Sequence, residues 1–388
     1  MKIPIIYNVR SLLRRPLTTL ATVLGVAFVV VTFVGMLALA NGFRAALVAT
    51  GRPDNALLLR KGADGEVSSA ISREEAAIVK SYPEVARLPD GRPIASADVY
   101  VVVTRPRIDG TEANMPVRGV GPEATAVRDE VRIIAGRMFT PGHAEVIVGR
   151  GLVGRMRGTN IGDRIQFGQQ EFTVVGHFEA GGAVFESEVW GDAEVLMNVF
   201  RGPVYQSVVL RLADPSAFDR LKARIEGDPR LQLDVRRESD FFAEQSEMLT
   251  AVLRFLAFFV TGVMALGAVF GAINTMDAMV AARTREIALL LTLGFKPRSV
   301  QASFLLESLL VGLAGGVLGS LLALPINGIR TSTTNWQSFG EVTFAFRITP
   351  DILLQALLFA ALMGVLGGWL PARRAAREPV AVALRKVV

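Results

Sequence analysis

The only imidazoles in the chain, His143 and His177, stand alone. Neither falls in H-E-x-x-H, the spacing that turns two ring nitrogens onto one metal. There is no cysteine, which removes disulfides, thiolate metal sites and a thiol nucleophile. Ser207 and the other serines occupy no G-x-S-x-G elbow. Acidic residues are plentiful between residues 44 and 245, yet none are spaced as an acid/base pair. No G-x-x-x-x-G-K-[ST] loop occurs, and the glycine-rich Gly312–Gly319 carries no lysine and lies in an apolar run. These residues predict no catalytic group, no metal and no cofactor in the chain, so energy for any work must come from a partner.

The most telling chemistry is mechanical. Arg283-Thr284-Arg285-Glu286 opens a charged turn, and a leucine run follows and stops at Gly294. Glycine takes the left-handed cap conformation cheaply. Pro297 suits the first turn of a next helix, where a missing N–H costs nothing. The pattern predicts a short helix lying along a membrane face and a long one entering it. This elbow is placed to receive a push from a soluble partner. Three ionisable residues border apolar runs: Arg254, Asp277 and Glu307, the last two turns inside its segment. Glu307 reads either as a functional charge or as a partner for a nearby arginine.

The elements that position the elbow follow from composition. Hydrophobic residues make up 51% of the 388, and the mean hydropathy is +0.40. Four uncharged runs, Pro16–Phe43, Phe255–Met276, Ser308–Ile329 and Ile352–Ala372, are long enough to cross about 30 Å of hydrocarbon. Lys2, Arg10, Arg14, Arg15, Arg283, Arg285, Lys296, Arg298, Arg373, Arg374, Arg377, Arg385 and Lys386 flank them on one side. The last loop has only Arg330 and Arg347. The positive-inside rule puts the basic rim in the cytoplasm and the large insert outside. Residues 44–254 hold 27 basic and 30 acidic residues, so the pI near 9.9 comes from that rim. We read it as a topology signal beside anionic lipid, not as a nucleic-acid surface.

The expected fold is therefore a membrane α-helical protein of four transmembrane helices, with a large α/β extracytoplasmic insert between helices 1 and 2. The order is a cytoplasmic amphipathic helix over residues 1–16, helix 1 over 17–43, the insert over 44–245, and helix 2 with its stalk over 246–276. A cytoplasmic coupling segment (277–298), helix 3 (299–329), an outer loop (330–350), helix 4 (351–371) and a cytoplasmic tail (372–388) complete it. A cleaved signal peptide is the rival reading of the first apolar run; its length favours a retained anchor. Within the insert, Ala56–Arg60, Asp98–Thr104, Met115–Val120, Glu145–Gly149, Val208–Leu212 and Leu231–Arg236 read as strands. Ser72 with Glu75 is a capping box. Helices are expected at Arg150–Arg157 and Pro215–Glu226, and a hairpin over residues 162–178. Residues 238–254 are expected to run helically into the second apolar run. Glycines four apart (Gly267/Gly271, Gly312/Gly316, Gly315/Gly319, Gly364/Gly368) allow close helix approach, within the chain or against a second copy.

Three motifs carry a resemblance to a known family. They are Arg285-Glu286-Ile287-Ala288-Leu289-Leu290 with Leu293-Gly294, Phe304–Glu307 and Gly315-Gly316; the ending Pro371-Ala372 and Ala375-Ala376 with Pro379 and Ala383-Leu384-Arg385; and Gly162-Asp163 with Phe172-Thr173-Val174-Val175-Gly176. Over essentially its whole length the chain resembles the FtsX-like, MacB-type permeases of ABC transporters, in the style of MacB, LolC and DevC. The resemblance implies a non-catalytic, multi-pass subunit of the bacterial inner membrane. Two permeases, identical or paralogous, would pair and dock two separate ABC ATP-binding subunits, which hold ATP and Mg. Docking would use Arg283, Arg285, Glu286, Ile287, Leu290, Leu293 and Gly294. ATP-driven closure would then move the outer domains, a mechanotransmission mode serving export with a periplasmic adaptor and outer-membrane channel. A lipoprotein-releasing permease and a non-transporting activator of a cell-wall hydrolase are the alternatives. The 16 residues before the first apolar run hold no ATPase, which implies a separate ATPase chain.

Overall fold

The computed structural model describes residues 12, 16–200 and 202–377. Most of the amphipathic segment expected over residues 1–16, and the tail after Arg377, lie outside the described residues. Among the described residues four helices are long and apolar enough to cross a membrane: Pro16–Thr50, Glu238–Ala282, Pro297–Ile326 and Pro350–Arg377. The chain divides into two compact units. The first holds residues 1–41, 251–329 and 346–388, the second residues 42–250 and 330–345.

The first unit is built on apolar helix faces. Val26, Val30, Phe33, Val34, Leu37, Ala257, Ala265, Ala323, Ala356, Ala360 and Met363 form its core. Phe33 stacks on Phe359 with centroids 4.9 Å apart and meets Phe258 edge-on at 5.5 Å. The last helix does not stop at Pro371 but continues to Arg377. Proline loses one backbone hydrogen bond, and the turn survives because Pro371, Ala372 and Ala375 are buried against neighbouring helices.

The second unit is a mixed α/β domain. Its strands are β1 (Asn55–Arg60), β2 (Ile71–Ser72), β3 (Ala95–Pro106), β4 (Glu112–Val120), β5 (Arg132–Gly136), β6 (Glu145–Gly149), β7 (Arg164–Phe167), β8 (Gln170–Glu179), β9 (Val189–Asp192), β10 (Val204–Tyr205), β11 (Ser207–Arg211), β12 (Leu233–Arg237), β13 (Arg330–Thr334) and β14 (Glu341–Ala345). The main sheet runs β12-β1-β11-β3-β4-β9-β6-β8-β5, with β7 on β8. Strands β11 and β12 both pair antiparallel with β1, and helix Phe218–Glu226 connects them across it. One apolar cluster lies under β1, β11 and β12, and another under β6, β7, β8 and β9. The long strands β3 and β4 run between them, paired from Val99↔Gly119 to Pro106↔Glu112.

Local signals are realised where they were strongest. Ser72 caps helix Arg73–Lys80 and Glu75 answers it, a complete capping box. The short helix expected at Arg150–Arg157 is a series of turns instead. Gly151 packs where an added Cβ would lie 2.7 Å from the Glu186 carbonyl oxygen, and Gly154 sits at φ +74. The loop between the last two long helices contains the hairpin β13–β14. Ser187 Oγ accepts from the Thr343 N–H at 2.7 Å, Arg155 donates to Ser332 Oγ at 2.6 Å, and Arg107 pairs with Glu341 at 2.8 Å.

Candidate coupling elbow

The elbow is a nine-residue helix, Thr284–Thr292, between two long ones. Its C-terminus closes as the leucine–glycine pattern requires. Gly294 N–H donates to Leu291 O and Phe295 N–H to Leu290 O, both at 3.1 Å, the paired bonds of a Schellman cap. Gly294 stands at φ +89. Lys296 then caps the next helix, with Pro297 at its first position.

The short helix has two faces. Ile287 and Ala288 are buried, and Leu290 and Leu291 are half-buried. Ile287 packs in a cluster with Met276, Met279 and Val280 of the preceding helix, Val300 and Phe304 of the following one, and Ala372 and Ala375 of the last. Three long helices therefore grip one side of the elbow. The opposite side presents Arg285, Glu286, Leu289 and Leu293. Leu289 and Leu293 are each 60% exposed. Their four-residue spacing places them one above the other, beside Arg285.

Charge fixes the first turn. Arg283 Nη1 lies 3.0 Å from Glu307 Oε2 and 3.4 Å from Oε1. Its Nε is 3.8 Å from Glu286, and its guanidinium stands 6.0 Å from the Phe304 ring centre. Glu307 has 1% of its side chain exposed. Asp277 pairs with Arg374, joining the preceding helix to the last one. Among the described residues the arrangement holds no acid/base pair. It can take a force on the exposed face and pass it to the helices that hold the buried face.

Of the residues singled out by sequence, Arg285, Glu286, Leu293 and Gly294 are exposed, Arg283 and Leu290 are half-buried, and Ile287 is core. Leu289, quoted in the family motif, was not among the residues expected to dock; its four-residue register with Arg285 and Leu293 is the signal that finds it. The helix-packing glycines make their close contacts within the chain. Gly312 lies against Gly364 and Ala360, Gly315 against Val26, Gly316 against Ala360, Gly319 against Ala27 and Val30, and Gly364 and Gly368 against Ser308. Gly262, Gly267 and Gly271 have open space instead.

The second unit holds a buried charge cluster. Arg118 is 2% exposed. It donates Nε and Nη2 to Glu188 at 2.8 and 2.9 Å, Nη1 and Nη2 to Glu66 at 2.7 and 2.9 Å, and Nη1 to Asp98 at 3.3 Å. Arg128 donates to the same Asp98 at 2.6 Å. Ser207 Oγ donates to Glu66 at 2.6 Å and the Trp190 indole to Glu188 at 2.7 Å. Burial alone would raise the Glu66 and Asp98 carboxyls, but the arginines outweigh it and hold both below the ordinary range. Sequence spacing did not flag these residues. The available signal was a charge inside an apolar strand, as in Asp98 before Val99-Tyr100-Val101 and Arg118 after Pro116-Val117.

Comparison with known proteins gives two family matches. Residues 19–228 match the MacB-like periplasmic core domain, and residues 258–380 the FtsX-like permease C-terminal domain. The chain is 27% identical to the macrolide export ATP-binding/permease protein MacB of Bordetella avium (strain 197N), over 94% of its own length and 57% of that protein. The Escherichia coli (strain K12) protein of the same name is 31% identical over 57% of this chain and 34% of its own length. The chain thus spans little more than half of the first relative and about a third of the second. The solved periplasmic region of MacB from Actinobacillus actinomycetemcomitans aligns with 52% of this chain and 95% of its own, at 12% identity and a TM-score of 0.38.

Proposed function

The chain belongs to the family with a MacB-like periplasmic core domain, joined to an FtsX-like permease C-terminal domain, and on that premise we propose that it is the non-catalytic permease subunit of an ATP-driven transporter. The four long apolar helices hold it in the membrane. Separate ABC ATP-binding subunits supply ATP and Mg and dock on the elbow. The basic residues around the elbow and the last helix set this end in the cytoplasm of the inner membrane, and residues 44–245 on the opposite side. Closure of the ATP-binding subunits pushes the Arg285–Leu289–Leu293 face. The buried face at Ile287 and the Arg283–Glu307 pair pass that push to the long helices. The outer unit moves in response and drives export with a periplasmic adaptor and an outer-membrane channel. A second copy or a paralogue completes the permease pair.

The observation that carries this reading is the two-faced elbow, anchored to three long helices on one side and offering two leucines at helical spacing on the other. The test is co-purification with a co-expressed ABC ATP-binding subunit of the same family. Leu289→Glu with Leu293→Glu leaves the anchored face intact and replaces two apolar contacts of about 1.5–3 kcal/mol each. Docking should weaken by at least about tenfold, the equivalent of 1.4 kcal/mol. Unchanged docking in this variant and in Glu286→Arg would refute the assignment.

A further inference from the structure

Both helices that bound the second unit end at one point. Gly51 follows helix Pro16–Thr50 and lies so close to the start of helix Glu238–Ala282 that an added Cβ would stand 2.5 Å from the Glu238 carbonyl oxygen. The Arg52 N–H donates to Glu238 Oε2 at 3.3 Å, and the Ser239 N–H returns a bond to the Arg52 carbonyl at 3.3 Å. Asn55 Nδ2 donates to the same carboxylate oxygen at 2.8 Å. Facing this joint is Arg128, 1% exposed. Its Nη2 is taken by Asp98, and its guanidinium lies 4.9 Å from the Phe185 ring centre and 5.7 Å from that of Trp190. Among the described residues Arg128 Nε and Nη1 have no acceptor, and Glu238 Oε1 has no donor. Arg128 Nε and Glu238 Oε1 stand 3.9 Å apart, about 1 Å beyond a charge-assisted hydrogen bond.

Two opposite charges, both buried and both with unused bonding atoms, face each other across a gap slightly too wide to bond. We propose that Arg128 and Glu238 form a two-position latch at the root of helix Glu238–Ala282, open in this structure and closed when the first turn of that helix moves toward the guanidinium. Closing draws Arg128 off the Trp190 indole and fixes the helix root to the strand that carries Asp98. The electrostatics support two positions. Burial raises the Glu238 carboxyl, opposed by Arg128, Asn55 and the Arg52 N–H and aided by nearby Glu130. Glu130 is itself raised, chiefly by burial. Arg52 faces Glu130 at 3.7 Å, and Asp98 and Arg118 lie behind Arg128. The open position therefore favours protonated Glu238 and the closed one ionised Glu238. Rising pH closes the latch, changing the closed-to-open ratio about tenfold for each unit by which closing lowers the carboxyl.

The full chain in lipid nanodiscs tests this without any ATP-binding partner, so failure of the docking experiment and failure of the latch are separable. The chain has three tryptophans. Trp336→Phe and Trp369→Phe leave Trp190 as the sole reporter. Its emission should change with pH in one transition above the ordinary glutamate range near ~4.3. Glu238→Gln should abolish the transition. Glu130→Gln should keep it and move its midpoint down, since a like charge is removed. Arg128→Lys, which retains a cation but loses the fork, should shrink it. Emission that stays flat in the parent protein, or a transition that survives Glu238→Gln, overturns the latch, as does an Arg128→Lys profile identical to the parent.

Discussion

The proposed movement of the second unit as one body requires the halves of its long sheet to hold together, and Arg118 makes that requirement measurable. Arg118→Met keeps most of the side-chain volume and removes the cation. Asp98 retains Arg128, but Glu66 and Glu188 each lose the guanidinium they accept from. Removing one partner of a buried ion pair costs about 3–5 kcal/mol. For a unit of this size each kcal/mol shifts the melting temperature by about 2–4 °C, so the midpoint should fall by roughly 6–20 °C. The sign with pH is specific. In the parent protein Glu66 and Asp98 are depressed, so their contribution is present above the unfolded value near ~4 and is lost as pH falls through the folded values. In the variant, burial of Glu66 is no longer opposed by Arg118, and its carboxyl rises. The deficit should then be large at pH 8 and should shrink toward pH 5 as the carboxyl protonates. Adding Glu66→Gln and Glu188→Gln should recover most of the loss at pH 8. The assay is thermal unfolding of the full chain carrying Trp336→Phe and Trp369→Phe, followed by Trp190 emission. A deficit below about 1 kcal/mol, or one equal at the two pH values, would refute the reasoning.

Other substitutions probe the packing that positions the elbow. Gly312→Leu places a Cβ about where the Ala360 carbonyl oxygen lies 2.6 Å away, so forced separation of the last two long helices should cost at least the ~1–3 kcal/mol of overpacking, read as a lower melting temperature in detergent. Gly294→Ala puts a Cβ at φ +89; it should destabilise the elbow by about 1–2 kcal/mol and speed amide exchange in residues 284–295. Ser72→Ala removes the acceptor of the Glu75 N–H and leaves the Ser72 backbone N–H bonded to Glu75; it should cost about 1 kcal/mol, detectable by denaturant unfolding.

Much of the fold was legible because its signals are local. Glycine, proline and a leucine run dictate the elbow's cap without help from any distant residue. The Ser72–Glu75 box and the β7–β8 hairpin are likewise short-range. The failures have physical causes. Arg150–Arg157 carries a helix-like alternation, yet Gly151 is fixed by backbone approach from Glu186, a contact that spacing does not reveal. The hairpin β13–β14 was hidden because Arg330–Thr334 is polar throughout; its stability comes from Ser187, Arg155 and Arg107, all far away in sequence. Ile287 entered the expected docking set through the family motif, and what spacing alone does not reveal is that helical phase turns its side chain toward Val300 and Phe304.

The buried charges mark the deeper limit. Glu66, Asp98, Arg118, Arg128, Glu188 and Glu238 come from separate elements and share no periodicity. A single charged residue in an apolar strand usually means an exposed face. Here Asp98 and Arg118 are turned inward from such strands and four charged residues from other elements join them, each at most 8% exposed. Burying them so completely without partners would be prohibitive, so their positions constrain one another far more tightly than any local propensity does. Most of the cluster has satisfied that demand, with Arg118 using its guanidinium donors on three carboxylates. The exception is the side facing the root of helix Glu238–Ala282, where bonding atoms on both Arg128 and Glu238 stand unused. The contact left unmade there is the one the proposed latch closes, so the Glu238→Gln and Arg128→Lys profiles decide whether that gap serves movement of the helix.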